Sequence, residues 1–172
     1  MIAILLNDAS FEQDIRELLM AFYPGETFTH KEEEAGEAEL IVRGVRDGNS
    51  FSLDVTPVNK EAVHFALIYP DFSNRFETKN EIKQTLYRLL SAQTGRELPW
   101  GTLTGIRPTK IALTKLYDGW TDEQIETYMR ETYFTSKEKI DLSIDVAERE
   151  RRLLSTIDYE NGYSLYVGIP FC

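Results

Sequence analysis

The sequence predicts an α+β fold in which a mostly antiparallel sheet of about five strands with one helix precedes a segment of about four helices. Apolar residues alternate with period two up to about residue 70, an Asp47-Gly48 pair separates two of these runs, and helix-start signals recur from about residue 76. We therefore expect a sheet domain over residues 1–75, a helical segment over residues 76–160 and a separate strand-like region over residues 161–172.

Five runs of alternating apolar residues predict the strands of the sheet. They cover residues 2–6, 27–30, 39–46, 51–58 and 63–69. Asp47-Gly48 joins the third run to the fourth and predicts a type I′ hairpin turn, because both central residues of that turn need a positive φ. The acidic run KEEEAGEAE at residues 31–39 predicts a solvated loop or a strand extension, in preference to a charged binding face.

One helix is expected between the first and second strands. Ser10 and Gln13 have the spacing of a capping box, in which the two side chains satisfy free backbone N–H groups, and Pro24-Gly25 ends the helix. The apolar stripe of this helix consists of Phe11, Ile15, Leu18, Leu19 and Phe22.

Helix signals dominate after residue 76. The pairs with capping-box spacing are Thr78 with Glu81, Thr121 with Gln124, and Thr135 with Glu138. The first helix is expected over residues 79–93, with Ile82, Leu86, Leu89 and Leu90 on one face and a stop at Gly95. Pro108 can open a second helix that runs through Leu116 and ends at Asp118-Gly119. The remaining two are expected over residues 122–131 and 137–154.

The composition limits the classes of protein. The chain has 172 residues, one cysteine and a net charge of −10. One cysteine excludes an internal disulfide framework and favours a reducing, cytoplasmic location, while the negative charge disfavours nucleic acid as a partner. A signal peptide and a run of about 18 apolar residues are both lacking, so we expect no membrane partner. His30 and His64 fall in strand-like runs without metal-ligand spacing and are expected to be partly exposed.

The segment LPWGTLTGIRPTK at residues 98–110 combines glycines, prolines and cations between two helices. The structural interpretation, which the residues alone favour, is a helix connection in which Trp100 fills the core and Pro108 starts the next helix. The functional interpretation uses Gly101 and Gly105 for close backbone approach and Arg107 with Lys110 as an anion site near a helix N-terminus.

The chain ends in YSLYVGIPFC, a strand-like run followed by its cysteine. Natural C-termini usually end in polar residues, so we expect the chain to be a fragment. A single cysteine after an apolar run is, by its composition, more often a small buried residue than a metal ligand.

Together, the SLYVGIPFC and TGIRPTK segments resemble the radical S-adenosylmethionine enzymes related to oxygen-independent coproporphyrinogen III oxidase, of the coproporphyrinogen dehydrogenase type. The resemblance implies that Cys172 is the first cysteine of a CxxxCxxC motif and the first ligand of a four-iron, four-sulfur cluster. It implies that Tyr166 lies close to S-adenosylmethionine, and that residues 161–172 begin a catalytic barrel that is missing here. Gly168 departs from the family, in which histidine is often found two residues after the tyrosine.

The resemblance implies an oxidative decarboxylation of propionate side chains to vinyl groups in haem biosynthesis, with the missing C-terminal barrel and a tetrapyrrole as partners. With one of three cluster ligands, the fragment itself is expected to be inactive and without cofactor. Two alternatives are a haem chaperone that shares the cluster motif and a standalone domain that binds anions or proteins through Arg107 and Lys110.

Overall fold

The strands and helices of the structure follow the predicted order. The computed structural model describes residues 1–58, 63–105, 107–158, 161–163 and 165–168. The strands are β1 (Ile2–Leu6), β2 (Phe28–Thr29), β3 (Leu40–Asp47), β4 (Ser50–Pro57) and β5 (His64–Ile68). The helices are α1 (Glu12–Phe22), α2 (Arg75–Thr94), α3 (Thr109–Tyr117), α4 (Asp122–Tyr133) and α5 (Lys137–Leu154). Within these residues, the predicted α+β class is confirmed.

The five strands of the described chain form one mixed sheet in the order β2-β1-β3-β4-β5. β1 is parallel to both of its neighbours, and the chain returns from β1 to β2 through α1, as parallel pairing requires a crossover. β3 with β4 and β4 with β5 form antiparallel ladders of eight and five residue pairs. The prediction of a mostly antiparallel sheet is therefore confirmed, and the parallel position of β1 is an addition to it.

The β3–β4 hairpin forms where it was predicted, but its turn type differs. Asp47 pairs with Ser50, so Gly48 and Asn49 are the central residues, and only Gly48 has a positive φ, at 57°. Glycine at the first central position is the pattern of a type II′ turn. The predicted type I′ turn is wrong, because the pairing places Asp47 at the end of the strand instead of inside the turn.

One face of the sheet is covered by α1 and α2. The largest hydrophobic cluster joins the inward residues of β1, β3 and β4 to the apolar faces of both helices. Its helical members are Ile15, Leu18, Leu19, Phe22, Ile82, Leu86, Tyr87 and Leu90. α2 belongs to the same hydrophobic cluster as the sheet, and the second cluster begins with α3.

The second cluster is formed by α3, α4 and α5. It contains Ala112, Leu113, Leu116, Ile125, Met129, Ile140, Ile144 and Ala147. Leu98 packs against the first cluster and Leu103 against the second, so the segment between α2 and α3 joins the two cores.

In the part of the chain that the structure describes, the opposite face of the sheet is covered at β1 and at the start of β3. The acidic run forms a 3-10 helix, Glu32–Glu37, which buries Ala35 against β1. A bidentate ion pair, in which Arg43 donates two hydrogen bonds to the Glu32 carboxylate, attaches this helix to β3. The expected solvated loop or strand extension is therefore wrong, because two small residues, Ala35 and Ala38, let the run pack on the sheet while its acids stay outside.

Three of the predicted helix caps are wrong. α1 follows a 3-10 turn that Asp8 caps, instead of Ser10 with Gln13. Asn74 caps α2, and Ser136 caps α5. Thr78 is buried within α2 and donates to the Asp71 carbonyl, and the buried Thr135 hydroxyl has no hydrogen-bond partner among the described residues.

Other helix-end signals hold. Thr121 and Gln124 form a complete capping box at α4, and Gly95 ends α2 in the left-handed region with φ of 67°. Pro108 directly precedes α3. In the described residues, no helix combines the length and the apolar character needed to cross a bilayer.

Candidate functional site

The segment at residues 98–110 is held against the turn between α4 and α5. Gly101 has φ of 58°, and a Cβ placed on it would lie 1.9 Å from the Tyr133 carbonyl oxygen. The Thr102 N–H donates to that same oxygen at 2.7 Å, and the Ser136 N–H donates to the Pro99 carbonyl at 2.9 Å. Phe134, directly after α4, has a φ of 58°, which is rare for a bulky residue. Gly101 therefore serves close approach to the chain's own backbone.

The prediction that residues 98–110 form a helix connection has two parts, and only one of them is confirmed. Pro108 opens α3 as expected. Trp100 is half-buried and is not among the described members of either core, although its ring lies 6.0 Å from the Lys139 ammonium. The prediction that Trp100 fills the core is wrong, because Leu98 and Leu103 take that place.

Thr104 links the segment to the sheet domain through a partly buried polar cluster. Its hydroxyl accepts a hydrogen bond from the Lys83 ammonium of α2 at 2.9 Å and donates one to Glu17 of α1 at 2.8 Å. Lys83 is only 5% exposed. Beside it, Lys79 pairs with Asp14 at 2.8 Å. The cluster therefore fixes the segment to two helices that belong to the first core.

The charges in this cluster are shifted by their surroundings. Burial lowers the pKa of Lys83 from its ordinary value, and the neighbouring Lys79 lowers it further. Burial by itself would raise the pKa of Glu17, but hydrogen bonds from Thr104 and Gln13 together with the charges of Lys83 and Lys79 outweigh it, so the pKa of Glu17 is lowered. The cluster thus favours an ionised glutamate beside an ammonium that is easier to deprotonate.

The buried Lys83 should make the free energy of unfolding depend on pH. Its pKa is lower in the folded chain, so between that value and its ordinary pKa the unfolded chain binds more protons. The free energy of unfolding should therefore gain a contribution that rises with pH through this window. We expect urea titrations from pH 7 to pH 10 to show the wild type gaining stability relative to Lys83→Met. Two stability curves that stay parallel would contradict this assignment.

Arg107 and Lys110 lie at the start of α3, separated by three positions. The Arg107 guanidinium is exposed and pairs with Glu150 of α5 at 2.8 Å, and Lys110 is exposed. Gly105 has open space where a Cβ would be, and Ile106 lies outside the described residues. The structure thus places both cations on the surface, with Arg107 engaged by a carboxylate of the chain itself. An external anion at this position stays a prediction.

The C-terminal run is largely exposed where it is described. Tyr166 is 92% exposed, and residues 165–168 form neither helix nor strand. Cys172, with the rest of the IPFC motif, lies outside the described residues. The strand and the roles of Tyr166 and Cys172 stay predictions, since a barrel strand needs neighbouring strands.

The histidines are partly exposed, as expected. His64 lies in β5, whereas His30 follows β2 and places its Nε2 3.4 Å from Glu12. Among the described residues, no group of three or more histidine, cysteine, aspartate or glutamate side chains is arranged to hold a metal ion.

The sequence reasoning missed Glu17, Lys83 and Thr104. One signal was available: Asp14 and Glu17 lie next to the apolar stripe of α1 at a spacing of three, and Lys79 and Lys83 lie next to that of α2 at a spacing of four. Matched acids and lysines on two amphipathic helices favour contact across their interface.

Comparison with known proteins agrees with the predicted resemblance. The chain is 34% identical over 113 residues to the oxygen-independent coproporphyrinogen-III oxidase-like protein HemZ of Bacillus subtilis (strain 168). The match covers 63% of the chain and 23% of HemZ, so the chain spans about a quarter of the length of this curated relative. No protein-family model matches the chain, and no solved structure matches it significantly. The resemblance to coproporphyrinogen-III oxidase-like proteins is confirmed.

Proposed function

We propose that the chain is the N-terminal part of a radical S-adenosylmethionine protein of the coproporphyrinogen-III oxidase-like kind, which acts on tetrapyrrole propionates in the cytoplasm. The similarity to HemZ carries this proposal, together with the IPFC and TGIRPTK motifs. The chain has one cysteine, whereas a four-iron cluster of this kind needs three thiolates. The residues present therefore do not complete a cluster site, and Cys172 would supply one ligand beside two cysteines from outside the chain.

The role that we assign to this chain is the binding of a carboxylate by the segment at residues 98–110. Thr104 and Gly101 fix it to both cores, which leaves Arg107 and Lys110 exposed at the first turn of α3. Two exposed cations beside a helix N-terminus favour a carboxylate. That carboxylate would come from a substrate propionate or from an acidic residue of the catalytic domain, and it would displace Glu150 from Arg107.

Reconstitution of the full-length protein tests the activity. The protein would be reconstituted with iron and sulfide without oxygen, and cleavage of S-adenosylmethionine would be followed with and without coproporphyrinogen III. Cleavage that depends on the substrate and yields vinyl products is the expected result. Haem binding without turnover would instead support a haem chaperone, and a stop codon directly after Cys172 would contradict both.

The chain itself should not bind a cluster. After reconstitution with iron and sulfide, we expect residues 1–172 to stay colourless and to lack the broad absorption of a four-iron cluster, because one thiolate cannot hold it. A thiol reagent should label Cys172 rapidly in the native chain. A stoichiometric cluster, or a Cys172 thiol that reacts only after unfolding, would contradict the assignment.

Arg107→Ala in the full-length protein should weaken carboxylate binding. Loss of one charge-assisted contact costs about 1.5–3 kcal/mol, or roughly ten- to a hundredfold in affinity for the substrate or the separately expressed catalytic domain. Titration calorimetry of the full-length variant with the substrate, and of the same variant of residues 1–172 with the separately expressed catalytic domain, separates the two sources.

Arg149→Ala is the matched control for this measurement. Arg149 is also an exposed arginine in an ion pair, with Asp145 at 3.0 Å. Because exposed pairs contribute only about 0–1 kcal/mol to stability, both variants should stay folded. Unchanged affinity of Arg107→Ala for both ligands would leave the segment as a helix connector.

A further inference from the structure

The outer strand of the sheet carries an exposed apolar stripe. β5 is the last strand in the sheet order, and no strand of the described chain covers its outer side. Val63, Phe65, Leu67 and Tyr69, at every second position, are 56%, 61%, 48% and 71% exposed. Side chains at a spacing of two share one face of a strand, so these four form a continuous row, the β5 stripe.

The β5 stripe lacks the usual protection of an edge strand. Residues 63–70, VHFALIYP, contain no Lys, Arg, Asp or Glu. Natural edge strands are usually kept from pairing by charged side chains, bulges or a covering element. Residues 63–70 supply no charged side chain that would protect this edge. We therefore infer that another surface covers the strand.

The neighbouring strands add a mixed polar and apolar surface to the same face of the sheet, since Phe65 pairs with Asp54 and Asp54 pairs with Arg43. Leu67 pairs with Ser52, and Ser52 pairs with Val45, so these three residues form one row on the same face. Val45 is 44% exposed. Within the described chain, the 3-10 helix Glu32–Glu37 covers the same face at β1 and at Ile41 of β3, and α1 and α2 lie on the opposite face. The β5 stripe therefore lies at the end of this sheet face that no helix of the described chain covers.

The area of the β5 stripe distinguishes between two partners, a second copy of the chain and a further domain of the same polypeptide. Its four side chains offer roughly 400 Å² of apolar surface, about the largest patch on an ordinary monomer. Two copies facing each other through it would bury roughly 800 Å², below the ~1,200 Å² of stable complexes. A net charge of −10 on each copy also opposes self-association.

A covalently connected domain does not face this limit. Interfaces between domains of one chain start at about 600 Å², because the linker keeps the local concentration in the mM range. The chain spans 23% of its relative HemZ, so a large domain is available in a protein of that length. The exposed Leu165 and Val167 also show apolar residues after α5 that lack covering neighbours in the described chain.

We propose that the β5 stripe is the docking surface for the C-terminal domain of the full-length polypeptide, beyond residue 172. This inference rests on the proposed function, which makes the chain the N-terminal part of a longer protein. The segment with Arg107 and the β5 stripe are then two separate contacts, one through charge and one through apolar surface.

Hydroxyl-radical footprinting tests this contact without any activity measurement. The labelling of Phe65 and Tyr69 would be compared between residues 1–172 and the full-length protein, each at two protein concentrations. Met20, which is 51% exposed on α1, is the internal control. We expect several-fold lower labelling of Phe65 and Tyr69 in the full-length protein at both concentrations, with Met20 unchanged.

A pair of full-length variants completes the test. Phe65→Lys with Leu67→Lys should restore the labelling of Tyr69 to that of residues 1–172, whereas Met20→Lys should not. Hydrogen exchange in β4 would show that the sheet stays folded. Equal labelling of the two wild-type proteins would overturn the proposal, and so would protection that appears only at high concentration, which indicates a second copy. Protection in a protein that does not cleave S-adenosylmethionine would refute the proposed function and leave the docking surface standing.

Discussion

Replacing Gly101 by alanine is expected to destabilise the chain by about 2–4 kcal/mol. The added Cβ would lie 1.9 Å from the Tyr133 carbonyl oxygen and 2.6 Å from the Phe134 carbonyl, in a backbone conformation with φ of 58°. Neither group is the end of a flexible side chain. The segment can move away only by losing the Thr102 and Ser136 hydrogen bonds that attach it to the α4–α5 turn. Urea unfolding would measure the loss.

Gly105→Ala is the matched control, four residues further along the same segment. A Cβ on Gly105 meets nothing within 4 Å. The free energy of unfolding of the Gly105→Ala chain should therefore differ from that of the wild type by no more than about 0.5 kcal/mol. If the two variants were equally stable, the close approach at Gly101 would be wrong. A Gly101→Ala chain that fails to fold, beside a folded Gly105→Ala chain, would agree with the expectation.

The second large effect is expected from Thr104→Val, which keeps the shape of the side chain and removes its hydroxyl. The hydroxyl accepts from the buried Lys83 ammonium and donates to Glu17. Leaving a buried charged group without this partner should cost about 2–3 kcal/mol. Thr114→Val, at an exposed position of α3, is the control and should change stability by less than about 0.5 kcal/mol.

A double-mutant cycle separates the cluster from simple packing. Lys83→Met removes the buried charge, so adding Thr104→Val to it should cost less than Thr104→Val costs alone. Chemical denaturation of the four proteins gives the coupling energy between the two side chains. Strictly additive effects would show that Thr104 acts through packing and not through its hydrogen bond with Lys83.

Local patterns explain which predictions hold. The period-two runs gave all five strands to within one or two residues, and the stripes of α1 and α2 are buried as expected, since these periods follow from the chain's own geometry. The capping boxes show the limit of local reasoning. Thr78 with Glu81 has the same spacing as Thr121 with Gln124, yet only the second pair forms a cap.

The candidate site was predictable only in part. The sequence indicated the segment at residues 98–110 and the cations Arg107 and Lys110, because glycines, prolines and charges are concentrated there. It misplaced Trp100, and it missed the partner of Thr104. Lys83 and Glu17 are 21 and 87 residues away from Thr104, and no local period carries information over such distances.

The sequence by itself determined the succession of strands and helices along the chain, the resemblance to coproporphyrinogen-III oxidase-like proteins and the segment that holds the candidate site. It could do so because periodicity and motifs are properties of neighbouring residues. The tertiary structure decided that β1 lies between β2 and β3, that Gly101 meets the backbone of Tyr133, and that the β5 stripe is exposed in the described chain. Each of these depends on which distant surfaces meet, and that is settled by packing the whole chain around two cores.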